Sequence, residues 1–493
     1  MKKNLIRILS LVLVLLMILP FAVACKKDKE PEGTGDNVDE TIDYQAILGF
    51  GPEDNGGRNF KMLVSSSDAE EHHAKELNSN FVNDAVFKRN IAVQDFFKIT
   101  LETQIEPGDW ADRNHFIEKV TTPIMSGDNE HDLIIGVSAI VGDILGNEYF
   151  LPVNQIDYID LSKEWWVEGQ YDNLQVNGNL FAVYGDMNLS LYSELHCFIF
   201  NAQMISFNSL KSPYAMVANN EWLYSNVVEQ TVVVGSGDGD NIVEIEEDTF
   251  GMIGATNPQR ALLTGFNLEI LGRNQSTGRP EFPAALTQNY INAYNMVSDA
   301  FTSNEYNLAQ TADASGYSKH LTAMAQDRCL YLPAYVKWIT DPILTGMAGD
   351  FGVVPYPKLS AEQTGYYSQI ATGATCTLFP KSLTDTDLPA KVATYMSYVG
   401  KSMVAEPYFQ NYLKERLARS PEMQEMLETV RQTATMNLST IYHTYFSPQL
   451  LTLFGSEQLN AGKQDYRAGI ADEYASRLPG YKGALKVLLK KYK

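Results

Sequence analysis

The chain has little cysteine, few basic residues and few long apolar runs. Its 4 cysteines in 493 residues are too few for a disulfide-stapled scaffold. Its 38 Lys and Arg are outnumbered by 60 Asp and Glu, which gives a formal net charge of −22. Because such a chain repels phosphate backbones and anionic lipid headgroups, we expect no nucleic-acid partner. After residue 24, no stretch is apolar and long enough to span a bilayer.

Familiar catalytic motifs are also absent. The sequence has no Walker loop, no Gly-x-Ser-x-Gly elbow, no His-Glu-x-x-His and no Cys-x-x-Cys. The histidine pair His72 and His73 is a poor chelator, because adjacent side chains on a helix or strand point apart. We therefore predict no catalytic residue, no metal and no cofactor.

The N-terminus carries a secretory pattern. Lys2, Lys3 and Arg7 precede an uncharged run over residues 8–24, and small residues come directly before Cys25. This arrangement resembles a bacterial lipoprotein signal, which implies cleavage after residue 24 and a fatty-acylated Cys25 at the outer face of the cytoplasmic membrane. The alternative is a transmembrane anchor, since the run is about as long as the shortest spans of roughly 17 residues.

The remaining chain has the composition of a globular body. Apolar residues make up 45% and aromatic residues 11%, and the length suits two or three lobes. Residues 26–55 are rich in Lys, Asp, Glu, Gly and Pro, which predicts a solvated tether. Cys197, Cys329 and Cys376 cannot all pair, and we interpret them as buried thiols, with one disulfide left as the alternative.

Strand and helix patterns alternate along the first third. Strands are predicted over 59–64, 99–103 and 131–137, and helices over 78–97 and 112–125. Further strands are predicted over 178–184, 197–201, 329–332 and 352–355, helices over 258–273 and 283–302, and mostly helix from 388 onward. These intervals predict an α/β fold with a parallel sheet.

Several ordered stretches resemble one family. They are the helix Asn83–Asn90, the Trp165-Trp166 pair with the aromatic strand ending at Gly185-Asp186, Phe200-Asn201 with Glu221-Trp222, the stretch Phe351–Lys358, and Tyr408 to Leu427. Together they are similar to the extracellular solute-binding lipoproteins of ABC importers, in the carbohydrate-binding, family 1-like branch. The resemblance implies a periplasmic-binding-protein-like fold, with two discontinuous α/β lobes joined by a hinge and a ligand cleft between them.

The same resemblance implies a domain organisation. We expect a signal peptide over 1–24 and a lipidated tether over 25–55. The N-terminal lobe would comprise 56–192 with 370–418, and the C-terminal lobe 193–369 with 419–493.

A cleft for sugars needs aromatic faces for pyranose rings and short polar groups for hydroxyls. We expect these ligand-binding side chains at strand ends, in first-lobe loops and after a second-lobe strand: Tyr184, Asp186, Asn188, Tyr192, Asp68, Ser138 and Trp338. Each has the alternative of being a packing residue, and packing is favoured for at least one of Trp165 and Trp166.

The implied function is that of a non-enzymatic, monomeric receptor tethered to the membrane through its N-terminal lipid. It would bind a small solute, an oligosaccharide, and deliver it to ABC permease subunits. The alternatives are a receptor for a peptide or other polar solute, a lipid-anchored extracellular hydrolase, and a sensing or adhesive lipoprotein without a transporter.

Overall fold

The computed structural model describes residues 42–240, 242–309, 317–454 and 469–492. The predicted signal peptide, Cys25 and most of the predicted tether lie outside these residues. Within the described ranges, no helix combines the length and apolarity that a membrane crossing requires. The described residues form one compact unit.

The strands are β1 Arg58–Ser65, β2 Ile99–Glu106, β3 Leu133–Val137, β4 His196–Asn201, β5 Phe250–Gly254, β6 Gly272–Arg273, β7 Pro280–Glu281, β8 Asn307–Ala309, β9 Cys329–Tyr335, β10 Phe351–Val354, β11 Ser368–Gln369, β12 Thr375–Leu378 and β13 Ala434–Thr435. The α-helices are α1 Tyr44–Leu48, α2 Phe81–Phe97, α3 Arg113–Ser126, α4 Val141–Leu145, α5 Gln170–Leu174, α6 Ser190–Ser193, α7 Ala202–Phe207, α8 Pro213–Ala218, α9 Tyr224–Val234, α10 Thr256–Arg260, α11 Leu262–Gly265, α12 Gln288–Thr302, α13 Ser318–Ala325, α14 Pro342–Thr345, α15 Asp387–Gly400, α16 Pro421–Gln432, α17 Leu438–Ile441 and α18 Ile470–Lys491. Lys401–Ala405 and Tyr408–Leu417 are π-helical, and 3₁₀ turns cover Ser66–Glu71, Ser138–Ile140, Val153–Gln155, Val336–Thr340, His443–Tyr445 and Leu450–Leu453.

The first sheet has the strand order β12-β3-β1-β2. β1 runs parallel to both β2 and β3, with Phe60 opposite Leu101 and Leu63 opposite Ile134. β12 closes the sheet antiparallel to β3. The predicted strands and the helices between them are confirmed, because their alternating apolar patterns are local signals that survive folding. The parallel prediction holds for three of the four strands.

The second sheet has the order β10-β4-β9-β5-β8. β4 pairs antiparallel with both β9 and β10, whereas β5 runs parallel to β8 and β9. β4 and β9 are buried along their whole length, as expected for strands covered on both faces. The chain therefore contains two separate main sheets combined with helices, and the predicted α/β fold is confirmed.

Three chain segments meet between these sheets. Leu195 pairs with Ile370 in an antiparallel bridge, and β11 pairs in parallel with β13. The amide of Ile370 donates to the Thr435 carbonyl oxygen at 2.9 Å. We call residues 194–195, 368–371 and 433–435 the hinge segments, because each connects elements of the two sheets.

The structure differs from the sequence-based prediction in several elements. The predicted helix 258–273 ends at Gly265, and Asn267 takes a left-handed φ of 56°, a conformation that terminates helices. The predicted strand 178–184 has only isolated bridges, such as Val183 with Thr377. A solvated tether does not describe residues 44–50, because Tyr44, Leu48 and Phe50 are buried.

The C-terminal helix α18 contacts residues that the predicted division placed in both lobes. The Tyr474 hydroxyl donates to the Pro283 carbonyl oxygen at 2.8 Å. The Asn177 amide donates to the Leu489 carbonyl oxygen at 3.0 Å. Helix α18 therefore contacts residues on both sides of the predicted lobe boundary. The lobe boundaries themselves stay a prediction.

Candidate functional site

A cavity of about 640 Å³ lies where β1 of the first sheet and β9 of the second end. Its walls come from the 3₁₀ turn after β1, the start of α2, helix α6, the turn after β9 and the second π-helical segment, Tyr408–Leu417. They include Asp68, Glu70, Glu71, Asn80, Phe81, Val82, Leu189, Ser190, Lys337, Trp338, Asp341, Tyr408, Tyr412 and Arg416. Crevices at the carboxyl ends of strands are the usual ligand sites of α/β sheets, and we call this cavity the cleft.

Aromatic rings line the cleft on both sides. Trp338, after β9, is 5% exposed and lies against Tyr317, with ring centroids 4.8 Å apart. On the first-sheet side, Phe81 stacks on Tyr412 at 5.8 Å with ring planes 14° apart. Tyr408 follows at 5.9 Å from Tyr412. The cleft thus offers apolar ring faces from two separate parts of the chain.

Charged groups line the same cleft. Lys337 forms an ion pair with the buried Glu194 of the first hinge segment. Burial and the carboxylates of Glu71 and Glu194 raise the pKa of Asp68 to about 8, against the opposing charge of Lys337. Across the described residues, no hydrogen bond or ion pair reaches the Asp68 carboxyl group. Because this pKa lies above neutral pH, Asp68 is largely protonated at pH 7.

The turn that carries Asp68 is held from below by buried polar groups. Arg89 is fully buried, and its guanidinium donates to the carbonyl oxygens of Glu71 at 2.8 Å and Met187 at 3.0 Å. The Glu71 carboxylate accepts from the Ser190 hydroxyl at 2.9 Å and from Thr375. Although burial opposes ionisation of Glu71, hydrogen bonds from His72, Thr375 and Ser190 keep its pKa below the ordinary value.

Helix α2 begins at the cleft because Asn80 caps it. The Asn80 side-chain oxygen accepts from the amides of Val82 at 3.0 Å and Asn83 at 3.1 Å. This cap fixes the position of Phe81, whose ring is 37% exposed and faces the cleft.

Of the seven predicted ligand-binding residues, the structure brings Asp68 and Trp338 together in the cleft. Ser138 lies elsewhere, donating to the Ala374 carbonyl oxygen at 2.6 Å beside the second hinge segment. Asn188 donates to the Thr375 hydroxyl at 2.8 Å. Tyr184 is fully buried, and desolvation raises the pKa of its hydroxyl well above the ordinary value. These three residues line neither cavity described here.

Tyr192 lines a second cavity at the hinge, and Asp186 lies behind it as its hydrogen-bond partner. This cavity of about 460 Å³ is lined by Tyr192, Leu195, Ile370 and Arg431, among others. The Tyr192 hydroxyl donates to Asp186 at 2.5 Å. Burial raises the pKa of Asp186 to about 7, against the lowering effect of that hydrogen bond. Their role in binding stays a prediction.

Sequence reasoning missed several cleft residues, notably Phe81, Tyr412 and Lys337. Phe81 directly precedes the Asn83–Asn90 motif, and Lys337 directly precedes Trp338, so adjacency to selected residues was the available signal. Arg89 and Asn90 end that motif, and the structure gives them a supporting role below the cleft, with Asn90 donating to the His72 carbonyl oxygen at 2.9 Å.

The cleft itself shows no cluster of metal ligands among the described residues. Elsewhere, the exposed loop carboxylates of Asp238, Asp240 and Glu247 lie within 4.8 Å of one another. Exposed acidic side chains often cluster without an ion, and we assign no metal to them.

Comparison with solved structures identifies the architecture. A solute-binding protein of an ABC transporter from Thermotoga lettingae, bound with alpha-D-tagatose, is 11% identical with a TM-score of 0.52, over 88% of this chain and 100% of that chain. UgpB from Mycobacterium tuberculosis, in complex with glycerophosphocholine, is 14% identical with a TM-score of 0.51, over 89% and 99%. A cyclo/maltodextrin-binding protein complexed with maltotetraose is 14% identical with a TM-score of 0.50, over 89% and 99%. The chain therefore has the fold of ABC-transporter solute-binding proteins, as its sequence motifs predict.

Sequence comparisons add nothing to this assignment. No model of a known protein family matches the chain, and no curated protein matches it significantly.

Proposed function

We propose that this protein is a solute receptor that captures an oligosaccharide in the cleft and delivers it to an ABC permease. The observation that carries the proposal is the pair of aromatic walls, Trp338 on one side and Phe81 with Tyr412 on the other, around a cavity of about 640 Å³. That volume lies within the usual range of ligand sites, roughly 300–1,000 Å³. Flat rings facing a polar cavity suit the apolar faces of sugar rings.

Closure about the hinge would bring the two walls onto the solute. The three hinge segments are joined by few main-chain hydrogen bonds, such as that from the Ala371 amide to the Glu194 carbonyl oxygen at 3.0 Å. Short hinge strands of this kind absorb the backbone rotation of domain closure. Lys337 and Glu194 connect the cleft directly to the first hinge segment, so contacts with the solute can bias the hinge.

Structural neighbours support a sugar as the solute. The neighbours compared above were solved with tagatose, glycerophosphocholine and maltotetraose, of which two are carbohydrates. An oligosaccharide is therefore our first candidate, and a peptide or another polar solute is the alternative.

The proposal is of binding without chemistry. The cleft carboxylates are Asp68, Glu70, Glu71 and Asp341. Glu71 is committed to Ser190 and Thr375, and Asp341 accepts the Ile343 amide at 2.8 Å as the cap of α14. These two carboxylates therefore support the fold, and the proposal of binding without chemistry extends to Asp68 and Glu70, for which the described residues provide no hydrogen bond or ion pair. Acylation of Cys25 and the permease partner belong to the same proposal. Acylation rests on the N-terminal sequence pattern, and the permease partner rests on the resemblance to solute-binding proteins of ABC transporters.

Thermal-shift screening against neutral oligosaccharides of different linkage, followed by calorimetry, tests the proposal. A bound solute raises the melting temperature by mass action, and mass spectrometry should recover it unaltered. Trp338→Ala should weaken binding at least about tenfold, as expected for loss of a buried aromatic contact. The matched control is Trp110→Ala, since Trp110 is 48% exposed and not among the cleft residues. Cleavage of the oligosaccharide would instead favour a hydrolase.

A further inference from the structure

The charges around the cleft are unbalanced. Four carboxyl groups line it, of which Asp68 is largely protonated, against two basic side chains, Lys337 and Arg416. Lys337 is already paired with Glu194, and Arg416 lies at the exposed edge over the Tyr412 ring at 5.8 Å. The cleft therefore has an excess of negative charge, which disfavours solutes that carry phosphate or carboxylate groups.

Asp68 and Glu70 are the cleft carboxyl groups without a hydrogen bond or ion pair among the residues described, and Asp68 is the half-buried one of the two, whereas Glu70 is exposed to water. Glu71 accepts hydrogen bonds from Ser190 and Thr375, and Asp341 accepts one from the Ile343 amide. Asp68 is half-buried, lines the same cavity as Trp338, and has no hydrogen bond or ion pair among the residues described. A carboxyl group in this setting either stays protonated or takes a cation as its partner.

We infer that the solute of the cleft carries a positively charged amine, which pairs with Asp68 while its ring or chain packs on Trp338. The inference rests on the proposed function and narrows its substrate class. An ammonium group would be stabilised in this cavity by two interactions, a charge-assisted hydrogen bond to the ionised carboxylate and cation–π attraction to the faces of nearby aromatic rings. The amine can belong to an amino sugar or to a polyamine, and the two sources share this chemistry.

Binding of such a solute changes the protonation of Asp68. The charged groups that act on Asp68 are Glu70 and Glu71 from its own turn, Glu194 from the hinge and Lys337 from the turn after β9. Asp341 and Arg416 complete the charged lining. With a pKa of about 8, Asp68 is mostly protonated at pH 6.5. Pairing with an ammonium ionises it, so binding of a solute whose amine is already protonated, such as spermidine, should release close to one proton, and binding of a partly protonated amino sugar should release less.

The test compares four probes by calorimetry at pH 6.5: chitotriose with free amines, its fully N-acetylated form, cellotriose and spermidine. We expect chitotriose to bind at least about tenfold more tightly than both neutral trisaccharides. Asp68→Asn should lower that affinity about ten- to a hundredfold, as for other charged hydrogen bonds, and should abolish proton release measured in two buffers of different ionisation enthalpy. The control is Asp157→Asn, which removes an exposed carboxylate that does not line the cleft.

Each outcome decides between the two proposals. If the neutral trisaccharides bind as tightly as chitotriose, the amine inference is overturned and the saccharide receptor stands. If only spermidine binds, with loss in Asp68→Asn, the amine inference stands and the saccharide proposal fails. Amine binding that Asp68→Asn leaves unchanged, or failure of every probe to bind, overturns the inference.

Discussion

The ion pair between Lys337 and Glu194 should stabilise the arrangement of the cleft and hinge, and its two partners should contribute unequally. The Glu194 side chain is 5% exposed, whereas that of Lys337 is 44% exposed. Although burial opposes its charge, the Glu194 carboxylate raises the pKa of Lys337 above the ordinary value. Removing one partner of a buried pair costs about 3–5 kcal/mol, whereas an exposed pair contributes about 0–1 kcal/mol.

This asymmetry gives a magnitude for each variant. Lys337→Met leaves a buried carboxylate without its counter-ion, so we expect a loss of about 2–3 kcal/mol of unfolding free energy, between those two limits. Glu194→Gln leaves a half-exposed ammonium that water can solvate, so we expect about 1 kcal/mol. The coupling energy of the double-mutant cycle should be about 1–2 kcal/mol.

Urea unfolding of the four proteins of the cycle measures these values. Because the pKa of Lys337 is raised on folding, its contribution is fully present below about pH 10.4, the unfolded value, and is lost as the pH rises through the folded value. The reasoning is refuted if the two single variants lose equal stability and the coupling energy lies within about 0.3 kcal/mol of zero.

Three further predictions concern Asp68, the packing of the Trp pair and the thiols. Because burial and nearby carboxylates raise the pKa of Asp68 to about 8, its contribution to stability is present at pH 4 and is lost as the pH rises through 8. Urea unfolding at pH 5 and pH 9 should therefore show that the unfolding free energy of Asp68→Asn gains about 2–4 kcal/mol relative to that of the wild type across this interval. A difference that stays constant between the two pH values would contradict the prediction. A Cβ at Gly185 would overlap the Trp166 ring, whereas one at Gly51 meets no atom within 4 Å. Gly185→Ala should therefore lower the unfolding free energy by about 1–3 kcal/mol in a denaturant titration, with Gly51→Ala as the near-neutral control. Equal unfolding midpoints for the two variants would show that Trp166 is not tightly packed. Cys197, Cys329 and Cys376 are free and buried, and desolvation raises the pKa of each thiol. A thiol reagent should therefore label them only after unfolding. Rapid labelling of the native protein would be evidence against the packing described.

Much of the first sheet could be predicted from sequence because its signals are local. The apolar spacing of α2 and the β-rich run of β1 are each readable within a short window, and both elements formed close to the predicted bounds. The prediction of one helix over 258–273 was wrong because apolar spacing within a short window does not reveal the left-handed turn at Asn267. Helix α18 was assigned to a single lobe because its contacts with Asn177 and Pro283 are not local.

The site was predicted only in part for the same reason. Asp68 and Trp338 follow strands, and strand ends are favoured ligand positions, so position along the chain was enough to select them. The Phe81–Tyr412 stack joins segments that are far apart in sequence, and no local pattern marks such a pair. Asn188 was predicted as a strand-end residue and Ser138 as a first-lobe loop residue, but their side chains bind residues next to the second hinge segment.

The same distinction applies to the two tryptophans of the Trp165-Trp166 pair. Both are buried, each with 4% exposure, and the favoured interpretation of at least one as a packing residue is confirmed. An amphipathic turn cannot show which ring faces the core, because the partners that cover it, such as Tyr398 against Trp165, come from a distant helix.

The central claim is that solute binds in the cleft against Trp338, and ¹⁵N NMR of the tryptophan indoles tests it most directly. The chain has 5 tryptophans, of which Trp338 alone lines the cleft, and Trp338→Phe assigns its signal. We predict that titration with a saccharide that raises the melting temperature shifts the Trp338 indole signal most. If such a saccharide leaves that signal unmoved while it shifts Trp110, Trp165, Trp166 or Trp222, the solute binds elsewhere and the account is wrong.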